Sequence, residues 1–571
     1  MMSSADTDSL SHALSTSSSS CSPLTSISSF QTRSTSSINL SQSLLLSINT
    51  HFIRSLLKSS LEECCMSSCY SLESSLQALP NVFDHVGSVS LGFFESTLIA
   101  VKVFLETNTF MLTSNDLFQL SDVSSFFKAN VQSVFLEVAE SFDIRSIMNY
   151  SHCISVLFLE RVHHHIDFDF LSQSSPFFLP RLKRLDVYSP TKSSFTSFCK
   201  NLMVNCTVEI LNISDFIGVE GARALAESLK VSSTVREISM SVNSIGTEGA
   251  IALAQVLKFN LTISAICLRS NSIGNGGAVA FGDALKMNSS VVDIDFASNS
   301  IGSEGASSLA EALKVNSTVL QVDLKRNSIG NTGAIALAKA LTVNSTVSSI
   351  DLASNSIGLE GCNVLADALK INSTVIDIDL KRNSIGDEGV IALAEALAIN
   401  STLTKLDLLE NSIGNKGVIA LGNSLKLNST ITQIYLQLNQ IGNDGIVALA
   451  EGLKVNSSLT LINLATNSIG STGAVALAEA LKVNSTLVRV DLRLNSIGDD
   501  GAIAIAEALK VNSSIRIINM PANRVGNEGA MALFDVLTVN STVSFIDLAC
   551  NSIDTKTRQC LKTSSNGRLC A

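Results

Sequence analysis

Residues 319–341 read V-L-Q-V-D-L-K-R-N-S-I-G-N-T-G-A-I-A-L-A-K-A-L, and close copies of this stretch recur every 28 residues through the C-terminal two-thirds of the chain. The asparagine at its centre reappears at Asn243, Asn271, Asn299, Asn327, Asn355, Asn383, Asn411, Asn439, Asn467, Asn495, Asn523 and Asn551 without one slip in spacing. So strict a period marks an array of supersecondary units.

Within the unit, Val322 and Leu324 alternate with Gln321, Asp323 and Lys325, a period of two that buries one face of a strand and turns the polar set outward. Asn327 follows where the chain leaves the strand, and an amide that donates and accepts can satisfy backbone groups buried between stacked turns. Stacked copies make an asparagine ladder. Gly330 permits a tight turn, and Gly333 is expected to open a helix whose Ala334, Leu337, Ala338 and Leu341 share one face. Asn344 is expected to end that helix in the left-handed conformation, with Ser345-Thr346 leading into the next strand. One unit cannot bury its apolar face alone, so neighbours supply the other walls, and because helices are wider than strands the stack must curve.

The frame L-x-L-x-x-N-x-I-G-x-x-G, carried for example by Ile378, Leu380, Asn383, Ile385, Gly386 and Gly389, resembles the leucine-rich repeat in its long strand-plus-helix form, as in ribonuclease inhibitor and the sensor domains of NOD-like receptors. The resemblance runs from about Leu182 to Ile553. It implies an α/β solenoid, a curved horseshoe with a parallel sheet inside and helices outside, whose concave sheet binds a protein partner.

The rest of the chain divides around that array. Residues 1–37 are rich in serine and threonine with too little apolar content to offset the entropy of ordering. Residues 38–180 are expected to form a mostly helical region, with an amphipathic stretch from Leu44 to Leu57 and a phenylalanine-rich part after Leu79. There Leu98 to Ile147 reads as helix, short strand and two helices, a pattern similar to the second half of a BTB fold. Repeats fill 181–553, with a degenerate first unit at Leu182, Leu185 and Val187, and 554–571 is a polar cap or a frayed tail.

A net charge of −11 and a pI near 5.2 argue against a nucleic-acid partner, because phosphate binding needs a basic footprint. The first residues lack the basic and apolar segments of a secretory signal, and no apolar run is long enough to span a bilayer, so no membrane association and a cytoplasmic location are expected. The twelve cysteines show no disulfide spacing; Cys64, Cys65 and Cys69 lack the second half of a zinc site, and His163, His164 and His165 cannot all face one ion from a regular element. Neither a phosphate-cradling G-x-x-x-x-G-K-[ST] loop nor a hydrolase, zincin or kinase signature occurs, so no catalysis, cofactor or metal is expected. The Asn-x-Ser/Thr sequons from Asn260 to Asn540 recur at the helix-ending turn, where asparagine already has a backbone reason to exist.

Recognition should be written where otherwise identical copies differ. The first outward strand position varies freely from Glu237 to Phe545, whereas the next is largely aspartate, including Asp323, Asp379 and Asp491. Stacked aspartates repel, and Lys325-Arg326, Lys381-Arg382 and Lys405 are expected to offset them. Toward the C-terminus the face turns apolar: Leu409, Leu438, Leu461, Leu494, Ile517 and Phe545 are expected exposed beside Tyr435, Arg489 and Arg493, the mixture typical of interface hot spots. Two other readings accompany the scaffold. Ran-type GTPase activators resemble the array in their N-x-I-G turns but carry an acidic tail, where this chain has Lys556, Arg558, Lys562 and Arg568; a ubiquitin-ligase adaptor would follow from the BTB-like pattern.

Overall fold

The computed structural model describes the segments 100–104, 109–113, 133–137 and 156–160, and residues 179–571 apart from 189–191, 215–216 and 565–566. The expectations placed on 1–37, Leu44–Leu57, the Cys64 cluster, His163–His165 and most of the BTB-like stretch lie outside the described residues.

Strand and helix alternate throughout the array, as in Gln321–Asp323, Gly330–Leu341 and Ser349–Asp351. Neighbouring strands pair parallel and in chain order without slip: Val322 lies between Ile294 and Ile350. These three central side chains are at most 2 % exposed, while their flanking residues turn to the other side of the sheet. Ala334, Leu337, Ala338 and Leu341 fill the layer between helix and sheet. Helices pack 8–10 Å apart and strands about 4.8 Å apart, so the sheet takes the inner, concave side.

The sheet also begins earlier than expected. Ala100–Phe104 pairs antiparallel with Thr109–Thr113, which pairs in parallel with Ser133–Glu137, then Val156–Glu160, then Arg184–Tyr188. The described parts of the supposedly mostly helical 38–180 region are therefore strand. Their short Val-, Phe- and Leu-rich runs favour a strand, and without the N-x-I-G frame nothing in the sequence flags the period.

Two asparagine ladders hold the repeats together. In the first, Asn271 Nδ2 donates to the carbonyls of Met240 and Leu268, while its Oδ1 accepts the N–H groups of Asn243 and Ile245 in the preceding repeat. In the second, formed by the sequon asparagines, Asn344 Nδ2 donates to the carbonyls of Leu313 and Asn316, and Oδ1 accepts the N–H of Thr346 and Val347. That geometry corrects the expected left-handed helix end: none of the second-ladder asparagines has a positive φ, and Asn372 is extended at φ −67°, ψ 133°. The left-handed residue is instead the one before each first-ladder asparagine, Arg326 at φ 53° and Leu494 at φ 54° among them.

The helix also starts earlier than Gly333. It begins at Gly330, and Gly333 is small for another reason: a Cβ there would stand 2.4 Å from Ile329 Cγ2 and 2.9 Å from Ala306 Cβ. How a helix begins is set one repeat upstream. Where the residue after the turn glycine is Asn or Asp, its Oδ1 reaches forward to the next repeat; Asn331 accepts the N–H of Gly358 at 2.8 Å and of Gly361 at 3.1 Å, and Gly358 is extended. Asn275, Asp387, Asn415, Asn443 and Asp499 do the same. Where that residue is Leu359, Gly386 takes φ +65° and donates to the carbonyl of Asn411.

After the last full repeat come the helix Thr555–Ser564 and the strand Leu569–Cys570, which pairs in parallel with Phe545–Asp547. Arg568 stands 28 residues after Asn540, the next place in the second ladder, and its guanidinium donates to the carbonyls of Leu537, Asn540 and Val543. It ends the ladder by doing an asparagine's work with a longer arm.

Candidate functional site on the concave sheet

The outward residues of each strand form columns along the sheet. Asp295, Asp323, Asp351, Asp379 and Asp407 stand directly opposite one another on five consecutive strands. Each commits Oδ1 to the backbone, accepting the N–H two residues later at 2.9 to 3.0 Å, which explains why an acid or amide recurs here. The other oxygen takes a cation where one is in reach. Arg269 bridges Asp295 and Asp323 at 2.7 and 3.3 Å, Lys325 bridges Asp323 and Asp351 at 2.9 and 3.6 Å, and Lys381 meets Asp379 at 2.6 Å. Lys405 serves the neighbouring column, pairing with Asp377 at 2.9 Å.

This differs from the expected compensation in two respects. Arg382 turns away to Glu410 at 2.7 Å, because the residue before the ladder asparagine is in the left-handed turn and leaves the concave face; Arg326 occupies the same turn position. Arg269 supplies what they do not. The signal was present in the sequence, since the position two residues after the aspartates and their equivalents reads Arg269, Ala297, Lys325, Ala353, Lys381, Leu409, a cation on alternate strands.

Three cations therefore face five carboxylates, and the imbalance appears in their chemistry. Burial, and then the adjacent Asp379, pushes the Asp351 carboxyl up to about 6, and the same causes in the same order push Asp407 up to about 6. Asp293, in the adjoining column, is raised by burial and by Asp295. Asp377 Oδ1 is buried without a hydrogen-bond partner. The middle of the sheet is thus an under-compensated acidic stripe.

Beyond it, Gln433, Leu461, Arg489, Ile517 and Phe545 lie in register on consecutive strands, with Tyr435 beside them donating to Gln433 Oε1 at 3.0 Å. Arg489 is exposed, but Leu461, Ile517 and Phe545 are only half-buried, as is Leu409, rather than fully open, because parallel neighbours one strand apart cover each other's flanks. Leu438 and Leu494 are exposed, at the left-handed turn positions. Asp491 is buried at 2 % exposure, held by Arg493 Nη2 at 2.9 Å and by Asn519 Nδ2 at 3.2 Å. Asp491 and Arg493 therefore brace the sheet, while Arg489 stands exposed on the same face among the half-buried Leu461, Ile517 and Phe545.

Among the described residues no three His, Cys, Asp or Glu side chains are placed to hold a metal ion, and no helix is long and apolar enough to cross a membrane. Burial pushes the Cys362 thiol up to about 12, so this cysteine is packing rather than a nucleophile. Compared with known proteins, the family model for the NLRC3 LRR domain matches residues 191–566. No curated protein sequence matches the chain.

Proposed function

We propose, for a chain that belongs to the NLRC3 LRR-domain family, a non-catalytic scaffold that takes a protein partner on its concave sheet and works in signalling or regulation of the NOD-like-receptor type, in the cytoplasm. The observation that carries this reading is the wide variation of the outward strand columns, in charge as well as size. Framework positions repeat from copy to copy, whereas the concave columns pass from the acidic stripe at Asp295–Asp407 to the mixed surface of Leu461, Arg489, Ile517 and Phe545.

Such a surface suits a two-part partner. Its basic segment supplies a cation to Asp407 and adds to the one that Asp351 shares with Asp323, and an apolar segment covers Leu461, Ile517 and Phe545 around Arg489. Arg568, which as part of a basic tail distinguished this chain from Ran-type activators, is tied to the carbonyls of Leu537, Asn540 and Val543. The test is capture from native extract on the full chain and on a form carrying Leu461→Ala, Arg489→Ala, Ile517→Ala and Phe545→Ala. A partner held by the unaltered chain and lost by the variant supports the reading; a partner held equally by both places binding elsewhere.

A further inference from the structure

Among the described residues, the longest row of exposed apolar side chains is not on the concave face. The residue before each second-ladder position, asparagine in every repeat except Ser232, is apolar from Val204 to Val539, thirteen in succession, and all are 56–80 % exposed. They are side by side, because the asparagines that follow them are bonded directly from repeat to repeat, Asn288 Nδ2 to Asn260 O and Asn316 Nδ2 to Asn288 O at 3.0 Å each. At roughly 100 Å² of exposed surface apiece the column presents on the order of 1,000 Å², more than a soluble monomer usually exposes and above the about 800 Å² per partner of a stable interface.

We infer that this edge pairs with a second copy of the same chain, antiparallel, about a two-fold axis at Ile371. The sizes along the column support that register. A two-fold contact reverses the order of repeats, so in full overlap Phe259 falls opposite Val483, Met287 opposite Val455, Leu427 opposite Val315 and Ile399 opposite Val343, with Ile371 meeting its own copy. Every larger side chain other than the axial Ile371 meets a valine. A one-repeat shift one way sets Met287 against Leu427, a shift the other way sets Ile371 against Ile399, either leaves one end residue of each column uncovered, and a parallel contact sets Phe259 on Phe259.

The flanking charge permits it. Seven of the lysines beside the column are tied to an acid three residues earlier in the same helix, as Lys314 is to Glu311 and Lys454 to Glu451. The net charge of −11 is therefore not focused on this edge, and no free cationic row favours an anionic membrane over a second copy.

The experiment measures molar mass by light scattering on the full chain at up to about 50 µM, a range in which an interface of this size associates. The unaltered chain should give twice the 60.4 kDa chain mass, and Val343→Lys, Ile371→Lys, Ile399→Lys together should halve it with an unchanged circular-dichroism melt. An Ile371→Cys form should give a 371–371 disulfide peptide by mass spectrometry on oxidation, whereas Val231→Cys alone should give no 231–231 peptide. A monomeric unaltered chain, a dimer indifferent to the three lysines, or column-dependent sedimentation of a monomer with phosphatidylcholine–phosphatidylserine vesicles would each overturn the inference.

Discussion

At the scale of single residues, one amide or carboxylate decides the conformation of a glycine 27 positions away. Gly358 is extended because Asn331 holds its N–H, and a Cβ on Gly358 would come no nearer than 3.5 Å to any atom outside its own neighbours. Gly386 has no such acceptor and sits at φ +65° with open space around it. Gly386→Ala should therefore lower stability by about 1–2 kcal/mol through backbone strain alone, while Gly358→Ala should be close to neutral, as denaturant midpoints would show. A second residue-scale effect follows from Asp351. Its folded value of about 6 exceeds the ordinary 3.8, so the native state holds an extra proton between those pH values and stability falls as pH rises through the window. Asp351→Asn, the amide already present at Asn463 and Asn519, should raise stability by on the order of 1 kcal/mol above pH 7. That gain should fade by pH 4; an equal gain at both pH values would show that the buried charge beside Asp379 is not its cause.

At the scale of the element, each helix of the Asn/Asp class has its first turn capped by the preceding repeat. Losing the Asn331 acceptor leaves the N–H groups of Gly358 and Gly361 without their partner, so Asn331→Ala should cost about 1 kcal/mol. Ser303→Ala, at the equivalent position where no forward cap is made, should cost little. Hydrogen exchange of the helix Leu359–Ile371 separates the two, with faster exchange expected only in the Asn331 variant. The C-terminal strand obeys the same logic. Arg568→Ala strands the carbonyls of Leu537, Asn540 and Val543 and should speed exchange in Phe545–Asp547 while leaving Gln321–Asp323 unchanged.

At the scale of the whole molecule, the solenoid was legible because each unit repeats the same local solution, so the Asn327 position and the Val322/Leu324 alternation were read twelve times over. What escaped the sequence was what passes between repeats. The forward caps of Asn331 and Asp387, the sharing of Arg269 between two aspartates and the substitution of Arg568 for a ladder asparagine all join residues 25 or more positions apart. Local periodicity carries no sign of such pairing until the register is known. The same limit explains the concave site: its columns were correctly aligned by counting 28, but whether Asp491 is buried or Arg489 free depends on the neighbouring strands. A concave surface that is variable, charged and partly apolar, on a framework that repeats every 28 residues, is the physical basis for proposing recognition on the sheet. The most direct test places a photoreactive amino acid at Gln321 or Arg489, both exposed on the concave strands, or at Val447 or Val475, both exposed on the outer helices, and irradiates the full chain in native extract. Discrete adducts from Gln321 and Arg489 but not from the helix positions are the predicted result, whereas adducts confined to Val447 and Val475 would contradict the account.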